Sequence, residues 1–332
     1  MHATPSRRST LRRLAAASLV GATAFAAVAC GSGDDAPAQT DSPTVVASTD
    51  VWGSVASAVV GDRGTVTALF NSPGSDPHEF EPSIADTAKI EDADVLVYNG
   101  LDYDAYMEKA AGSSKAYQVN AVSLLPGGAG ESAEDDHDHD EHGDHDEHGE
   151  EGHHHDHAVN EHVFYDLEVV GLVADETAAE LSKVSPKNAS YYKDNAAKFT
   201  TGLKGLRDRL TALKTRAAGA KVAATEPLAH YLLDDAGLTD VAPPAFTAAV
   251  EDGQSPSAAD VAAFDDLLKK REVRALIYNT QAVDPATEAL LKLAGETKIP
   301  VVEVTESLPR GVTGYLDWQS TQIQRLEQAL NG

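Results

Sequence analysis

The sequence predicts an α/β protein of two lobes, each with a mainly parallel sheet flanked by helices, joined by a long rigid backbone helix. Short β-rich runs alternate with helical patterns in both halves of the chain, which is typical of parallel sheets covered on both faces. A long amphipathic pattern separates the two halves. Hydrophobic residues make up 42% of the 332 residues, which is enough for a packed core and excludes global disorder.

Residues 1–29 have the features of a signal peptide. The basic stretch SRRSTLRR is followed by a short, alanine-rich apolar run and then by small residues, the usual order in a secretory signal. The pair Arg7 and Arg8 is also typical of twin-arginine export, so the Sec and twin-arginine routes both stay open. Later segments fall short of the roughly 18 consecutive apolar residues of a membrane span, so we expect a mature protein without one.

The single cysteine, Cys30, closes this leader in the stretch AVAC. The stretch resembles a bacterial lipobox, which predicts cleavage before Cys30 and a lipid on its sulfur. A buried free thiol is the alternative. The following residues, rich in Gly, Ser, Asp and Pro, predict a flexible tether over 30–43 that would hold the protein on the outer face of the cell membrane.

The N-terminal lobe is predicted over residues 44–185. Its β-rich runs are TVVAST, TVTALF, ADVLVYNG and KAYQVNAV, and helical patterns at SIADTAKIEDA and YDAYMEKAA lie between them. Strands that alternate with helices in this way predict βαβ units and therefore a parallel sheet.

A histidine-rich segment at 131–157 interrupts this lobe. It contains thirteen acidic residues and nine histidines but no lysine or arginine, and it lacks periodic apolar residues, which predicts a disordered loop. Imidazole is the commonest side-chain metal ligand and suits zinc. The segment therefore predicts an auxiliary metal-binding loop, with a pH-sensitive acidic linker or a solubility tract as alternatives. The histidines are His137, His139, His142, His145, His148, His153, His154, His155 and His157.

The connecting helix is predicted over residues 186–219. Its apolar positions, from Tyr192 to Leu213, are spaced by 7, 4, 3, 4 and 3 residues, which places them on one helix face. Pro186 is typical of a helix start and Gly219 of a helix end. A hairpin broken near residues 200–202 is the alternative to one continuous helix. A single helix predicts little hinge motion between the lobes.

The C-terminal lobe is predicted over residues 220–332, where the same alternation returns. Its β-rich runs are AKVAATE, RALIYNT and IPVVEVT, and the helical patterns are SAADVAAFDDLLKKR and DPATEALLKLAGE.

The net charge limits the partners of the protein. Its 26 basic and 53 acidic residues give a formal charge of −27, which argues against nucleic acid or an anionic membrane surface as a partner. We expect a monomer that reaches the membrane only through a lipid anchor at Cys30.

Four side chains form the candidate metal site. His78 lies in a Pro- and Gly-rich loop after a predicted strand, and His162 follows the histidine-rich segment at the start of a helix. Glu226 and Glu306 each end a predicted strand of the second lobe. Because α/β sheets place ligands beyond the carboxyl ends of their strands, a cleft between the lobes would bring two imidazoles and two carboxylates together.

Four segments carry a family resemblance: DPHEFEPS, NGLDYDAYMEK, EHVFYDLE and EPLAHYLLDDAGL. They resemble the cluster A-I solute-binding lipoproteins, which deliver zinc or manganese to ABC importers. The resemblance implies His78, His162, Glu226 and Glu306 as metal ligands. It also implies an ABC permease and its ATPase as partners.

Other residues near these motifs are candidates for supporting roles. Asp76 and Asp166 are candidates to orient the ligating histidines. Zinc-binding members often have histidine where Glu226 stands, and His230, one helical turn later, is the alternative to it. Asn279 occupies a position where family members often carry glutamate.

The pattern favours a binding protein rather than an enzyme. Four protein ligands would close the metal shell, whereas catalytic zinc generally keeps an open position for water. Zn²⁺ is the expected cargo and Mn²⁺ the alternative, because zinc outbinds manganese at most N/O sites. A manganese-specific binding lipoprotein, a surface adhesin with an incidental metal site and a hydrolytic metal centre stay open as other hypotheses.

Overall fold

The computed structural model describes residues 37–126 and 159–331, which lie within one compact unit. The predicted signal peptide, Cys30 and the histidine-rich segment 131–157 lie outside the described residues. Among the described helices, none has both the length and the apolar character needed to cross a bilayer.

The first sheet contains four parallel strands in the order β2-β1-β3-β4. They are β1 (Thr44–Thr49), β2 (Thr65–Phe70), β3 (Val95–Tyr98) and β4 (Tyr117–Asn120). The helices of this region are α1 (Asp50–Val60), α2 (Ile84–Glu91), α3 (Ala105–Ala111) and α4 (Leu167–Val184). All four strands coincide with the β-rich runs of the sequence. Helix α1, which begins directly at the end of β1, was not predicted.

The long helix α5 (Ala189–Ala217) follows a short 3₁₀ turn at Pro186–Asn188. It runs unbroken through residues 200–202, so the hairpin alternative is wrong. Its 29 residues span about 43 Å. The predicted apolar stripe is its buried face.

The second sheet repeats the order of the first, with parallel strands arranged β6-β5-β7-β8. The strands are β5 (Lys221–Ala224), β6 (Thr239–Asp240), β7 (Leu276–Asn279) and β8 (Val301–Val304). The helices are α6 (His230–Asp235), α7 (Pro244–Glu251), α8 (Ala258–Lys269), α9 (Pro285–Thr297) and α10 (Tyr315–Leu330). The sequence predicted every strand except β6, which has two residues, and it predicted neither α7 nor α10.

One hydrophobic core extends through both lobes. It includes Trp52 of α1, Leu203 of α5 and Trp318 of α10, whereas smaller clusters lie on the outer side of each sheet. A hydrogen bond also joins the two lobes, since the Tyr165 hydroxyl donates to the Thr305 carbonyl at 2.8 Å. The two sheets therefore share their packing through α1, α5 and α10. The small hinge motion expected from the sequence stays a prediction. The predicted fold class, two parallel-sheet lobes and a long helix, is confirmed.

Candidate metal centre

His162 is held in one orientation by Asn160. The Asn160 Oδ1 accepts the backbone N–H of His162 at 2.8 Å and lies 3.1 Å from the ring Nδ1. Because an amide oxygen only accepts, this contact places the ring proton on Nδ1 and leaves the Nε2 lone pair available. Asn160 also donates to the Pro227 carbonyl at 2.9 Å, so the same side chain connects the two lobes.

The free nitrogen of His162 is buried without a hydrogen-bond partner. The side chain is 1% exposed, and Nε2 has no hydrogen-bond partner in the described residues. Burial lowers the pKa of His162 to about 3, so the ring is neutral at ordinary pH. A buried polar atom without a partner is costly, and a neutral imidazole nitrogen is a good metal ligand. The arrangement is therefore suited to a bound cation.

His78 enters the site from the loop after β2. It lies in a 3₁₀ turn at Pro77–Glu79, and the carboxylate of Asp76 accepts its backbone N–H at 2.8 Å. Its ring Nε2 lies 3.4 Å from Glu306 Oε2. Burial acts to lower the pKa of His78, but the hydrogen bond and negative charge of Glu306, with the charges of Glu161 and Glu251, raise it to about 10.

Glu306 lies at the centre of the cluster, two residues beyond β8. It is 2% exposed, and its backbone N–H donates to Gln281 Oε1 at 2.7 Å. Its Oε2 lies 3.9 Å from His162 Nε2 and accepts the Tyr103 hydroxyl at 3.4 Å. Burial acts to raise the pKa of Glu306, but the hydrogen bond and charge of His78, with the hydrogen bond from Asn279, outweigh it and lower the pKa. Glu306 is therefore the anionic partner of both imidazoles.

Asn279 joins the two predicted glutamate ligands. Its Nδ2 donates to Glu306 Oε1 at 2.7 Å and makes a very short contact with Glu226 Oε1. Its Oδ1 accepts the Gln281 N–H at 2.9 Å, which fixes the amide so that Nδ2 faces the carboxylates. Burial, followed by the charges of Glu306 and Glu251, raises the pKa of Glu226 well above its usual value. Glu226 therefore lies inside the site, but its Oε1 is hydrogen-bonded to Asn279.

The spacing of three predicted ligands suits one metal ion. One donor atom each from His78, His162 and Glu306 lie within 4.8 Å of one another. Ligands at the bond lengths of tetrahedral zinc are about 3.4 Å apart, close to the separations found here. The structure therefore brings His78, His162 and Glu306 together, with Glu226 next to them through Asn279.

Two further glutamates, which the sequence analysis missed, face this cluster. Glu251 Oε1 lies 3.4 Å from His162 Nε2, and Glu161 Oε1 lies 3.8 Å from His78 Nδ1. His78, Glu161 and Glu251 form a second group that could hold a cation. Glu161 directly precedes His162, which was a usable signal. Glu251 ends α7, which was not predicted, and nothing local distinguishes it from other acidic residues.

The other candidates lie away from the donor atoms. Asp76 holds the backbone of His78, whereas the ring Nδ1 faces Glu161. Asp166 caps α4 by accepting two of its backbone N–H groups. The contact with the His162 ring that we expected from Asp166 is made by Asn160. His230 lies 3.7 Å from Asp234 on the surface, and its side chain is 49% exposed. In this geometry Asp76 contacts the backbone of His78, Asp166 contacts the first turn of α4, and His230 lies on the surface.

Two parallel-sheet lobes around a buried histidine and carboxylate cluster are the architecture of a solute-binding protein. Residues 45–329 match the family model of the zinc-uptake complex component A, a periplasmic protein. The chain belongs to this family. The resemblance inferred from DPHEFEPS and the other motifs is thereby confirmed at the level of the family, which is one of extracytoplasmic transport components.

Individual relatives agree with this assignment. The chain is 30% identical over 260 residues to the zinc-binding protein AdcA of Streptococcus pyogenes serotype M3, covering 75% of this chain and 48% of the relative. It therefore spans about half the length of that relative. It is 28% identical over 283 residues to the high-affinity zinc uptake system protein ZnuA of Bacillus subtilis, covering 82% of each.

A solved structure supports the fold. The laminin-binding protein Lmb of Streptococcus agalactiae, described as bifunctional in adhesion and metal transport, superposes with a TM-score of 0.66. It is 22% identical and covers 87% of this chain and 99% of its own. At this level of identity, the similarity concerns the architecture alone.

Proposed function

We propose that the protein captures a divalent transition metal outside the cytoplasm and delivers it to an ABC importer, with zinc as the cargo. The observation that carries this proposal is the buried, unpartnered Nε2 of His162, aimed at a carboxylate and a second imidazole. The relatives named for zinc binding and zinc uptake support it. The permease and its ATPase are the corresponding partners, and the role is carriage rather than catalysis.

The metal is held by His78, His162 and Glu306 across the cleft. Glu226 remains the proposed fourth ligand, and it reaches the ion once its contact with Asn279 yields. Because the ligand set includes carboxylates, it would also accept manganese. The Irving–Williams order nevertheless gives zinc a much higher affinity than manganese at such a site.

Competition titrations test the choice of metal. Zinc and manganese are each titrated into the full-length chain against a chelator strong enough to suppress weak sites. We expect zinc to bind more tightly than manganese by at least about tenfold. Tighter manganese binding would replace zinc by manganese in the proposal, and the absence of any tight site would refute metal capture.

The lipid anchor at Cys30 is part of the proposal, and a relative from Streptococcus pneumoniae is named a zinc-binding lipoprotein. Cys30→Ser should release the protein from the membrane or leave the precursor uncleaved. Wild-type fractionation and migration of the Cys30→Ser protein would show that the anchor is absent.

The histidine-rich segment 131–157 is proposed as an auxiliary zinc-binding loop. Its deletion should reduce the zinc bound from several ions to about one per chain, because the cleft ligands lie outside it. Thermal unfolding of the metal-free protein should hardly change. Loss of the tightest site upon deletion would instead show that histidines of this segment are primary ligands.

A growth experiment distinguishes zinc uptake from the adhesin alternative. A strain that lacks the protein should grow poorly when zinc is chelated and recover when zinc is restored. Normal growth under chelation would favour adhesion, since an adhesin is not needed for metal supply.

A further inference from the structure

We infer that Glu251, the last residue of α7, is an additional ligand of the metal ion in the cleft, coordinated beside His162. This inference rests on the proposed function, since it concerns the same ion. Neither the sequence motifs nor the family resemblance points to Glu251.

The distances around His162 support this role. Glu251 Oε1 lies 3.4 Å from the Nε2 of His162, and Glu306 Oε2 lies 3.9 Å from it. Glu251 is therefore the nearer of these two carboxylates. Neither contact is a hydrogen bond, and Nε2 has none. Tetrahedral zinc separates its ligand atoms by about 3.4 Å, so the contact with Glu251 has the spacing of two ligands on one ion.

Helix α7 fixes the position of this carboxylate. Phe246 and Val250 are buried in the smaller hydrophobic cluster on the outer side of the second sheet, and they anchor the helix. The helix ends at Glu251, and the backbone then turns at Gly253 with a φ of 65°. Glu251 is therefore carried on a packed element rather than on a free loop, as a ligand requires.

Glu251 differs from Glu226 in its surroundings. Glu226 is 4% exposed and bonded to Asn279, whereas the Glu251 side chain is 11% exposed. A cavity of about 420 Å³ lies alongside, lined among others by Asp76, Val250 and Gln254. Solvent therefore reaches the cleft next to Glu251. In this geometry Glu251 reaches the ion directly beside His162, whereas Glu226 reaches it only once its contact with Asn279 yields.

This position gives Glu251 a role in the binding and release of the metal ion. The Glu251 side chain is 11% exposed, against 1% for His162 and 2% for Glu306, so an arriving ion meets Glu251 before it meets those two buried ligands. Glu251 should therefore affect both the affinity and the coordination geometry of the metal.

The experiment uses the full-length chain and two probes. Zinc affinity is measured by competition with a chelator, and one equivalent of Co²⁺ is bound in place of zinc so that its visible absorption reports the coordination geometry. The variants are Glu251→Gln, which keeps the size but loses the charge, and Glu251→Asp, which keeps the charge but shortens the reach. Glu272→Gln, at an exposed position between α8 and β7, is the matched control.

We expect both Glu251 variants to weaken zinc binding by about tenfold or more and to change the Co²⁺ spectrum. Glu272→Gln should match the wild type in both measurements. Wild-type behaviour of Glu251→Asp together with a weakened Glu251→Gln would overturn the inference, since the carboxylate would then act by charge alone. Wild-type behaviour of both would overturn it as well.

A further variant separates this inference from the proposed function. If His162→Ala loses tight binding while both Glu251 variants bind normally, Glu251 is not a ligand and the proposed metal site stands. If His162→Ala binds zinc as the wild type does, the proposed site fails, and the inference about Glu251 fails with it.

Discussion

The two lobes share one topology but contribute different chemistry to the cleft. Their sheets have the same strand order, with the second strand at one edge, followed by the first, third and fourth. Yet both imidazoles come from the first lobe, and Glu226, Glu251 and Glu306 come from the second. The proposed metal site therefore takes its donors from both halves of the chain. Neither lobe alone contains all of the proposed ligands.

Each lobe also uses an asparagine behind its donor atoms. Asn160 orients His162 in the first lobe, and Asn279 holds Glu226 and Glu306 in the second. The two amides use different groups. Asn160 contacts the ring through its oxygen and leaves Nε2 free, whereas Asn279 donates through its nitrogen to Oε1 of Glu226 and to Oε1 of Glu306, and Oε2 of Glu306 still faces the imidazoles.

Removing an imidazole should produce the largest effect. We expect His162→Ala to weaken zinc binding by about a hundredfold or more, since it removes a ligand rather than its support. His230→Ala is the matched control on the exposed surface and should bind as the wild type does. Chelator competition measures both. An equal loss in the two variants would refute the assignment of the first-lobe donors.

The two asparagines should respond differently. Asn160→Ala should weaken zinc binding by about tenfold, because the ring is no longer held with Nε2 toward the cleft. Asn279→Ala should lower the melting temperature of the metal-free protein, because two buried carboxylates lose their shared donor. The melting-temperature increase caused by zinc should then be larger than in the wild type. Matching behaviour of the two variants would show that the amides act alike.

Proton release should distinguish the two histidines. In the metal-free protein the surrounding carboxylates raise the pKa of His78 to about 10 and burial raises the pKa of Glu251 to about 8, so both are protonated at neutral pH. Burial lowers the pKa of His162 to about 3, so this ring is not protonated. Zinc must displace the protons of His78 and Glu251, so affinity should increase as the pH rises from about 6 to about 8. Calorimetry in buffers of different ionisation heat measures the release. Affinity that is independent of pH would contradict these protonation states.

The smallest effect concerns the helix between the lobes. A Cβ added at Gly205 of α5 would meet nothing within 4 Å, so Gly205→Ala should stabilise the protein by about 0.5–1 kcal/mol. At Gly202 the added Cβ would overlap the Leu316 side chain of α10. Gly202→Ala should therefore gain less or lose stability, as measured by denaturant unfolding. An equal gain in both would show that α10 adjusts without cost.

The strands and the long helix could be predicted because their patterns are local. Hydrophobic runs bounded by turn residues located seven of the eight strands, and the spacing of Tyr192 to Leu213 located α5. Strand β6 has two residues, too few for a pattern. Helix α10 was missed although its buried residues include Trp318 and Ile323, because the polar residues Gln319 and Gln322 share that face.

The site could be predicted only in part. His78 and His162 stand in recognisable motifs, Glu306 follows a β-rich run, and the structure brings the three together. The roles of Asn160 and Glu251 depend on which of many polar side chains faces the cleft. That depends on the angle of α7 and on contacts such as Asn160 to Pro227, which no local pattern reveals.

The shared core has a consequence for biosynthesis. Trp318 of α10 packs against Phe164, Tyr165 and Tyr315, and the Tyr315 hydroxyl donates to the Phe164 carbonyl at 2.6 Å. These residues belong to the cluster that contains Trp52 and Val55 of the first helix. A chain emerging from the ribosome cannot complete the packing around α1 until α10 has been made. A polypeptide truncated before α10 should therefore leave its N-terminal half incompletely packed and open to proteases.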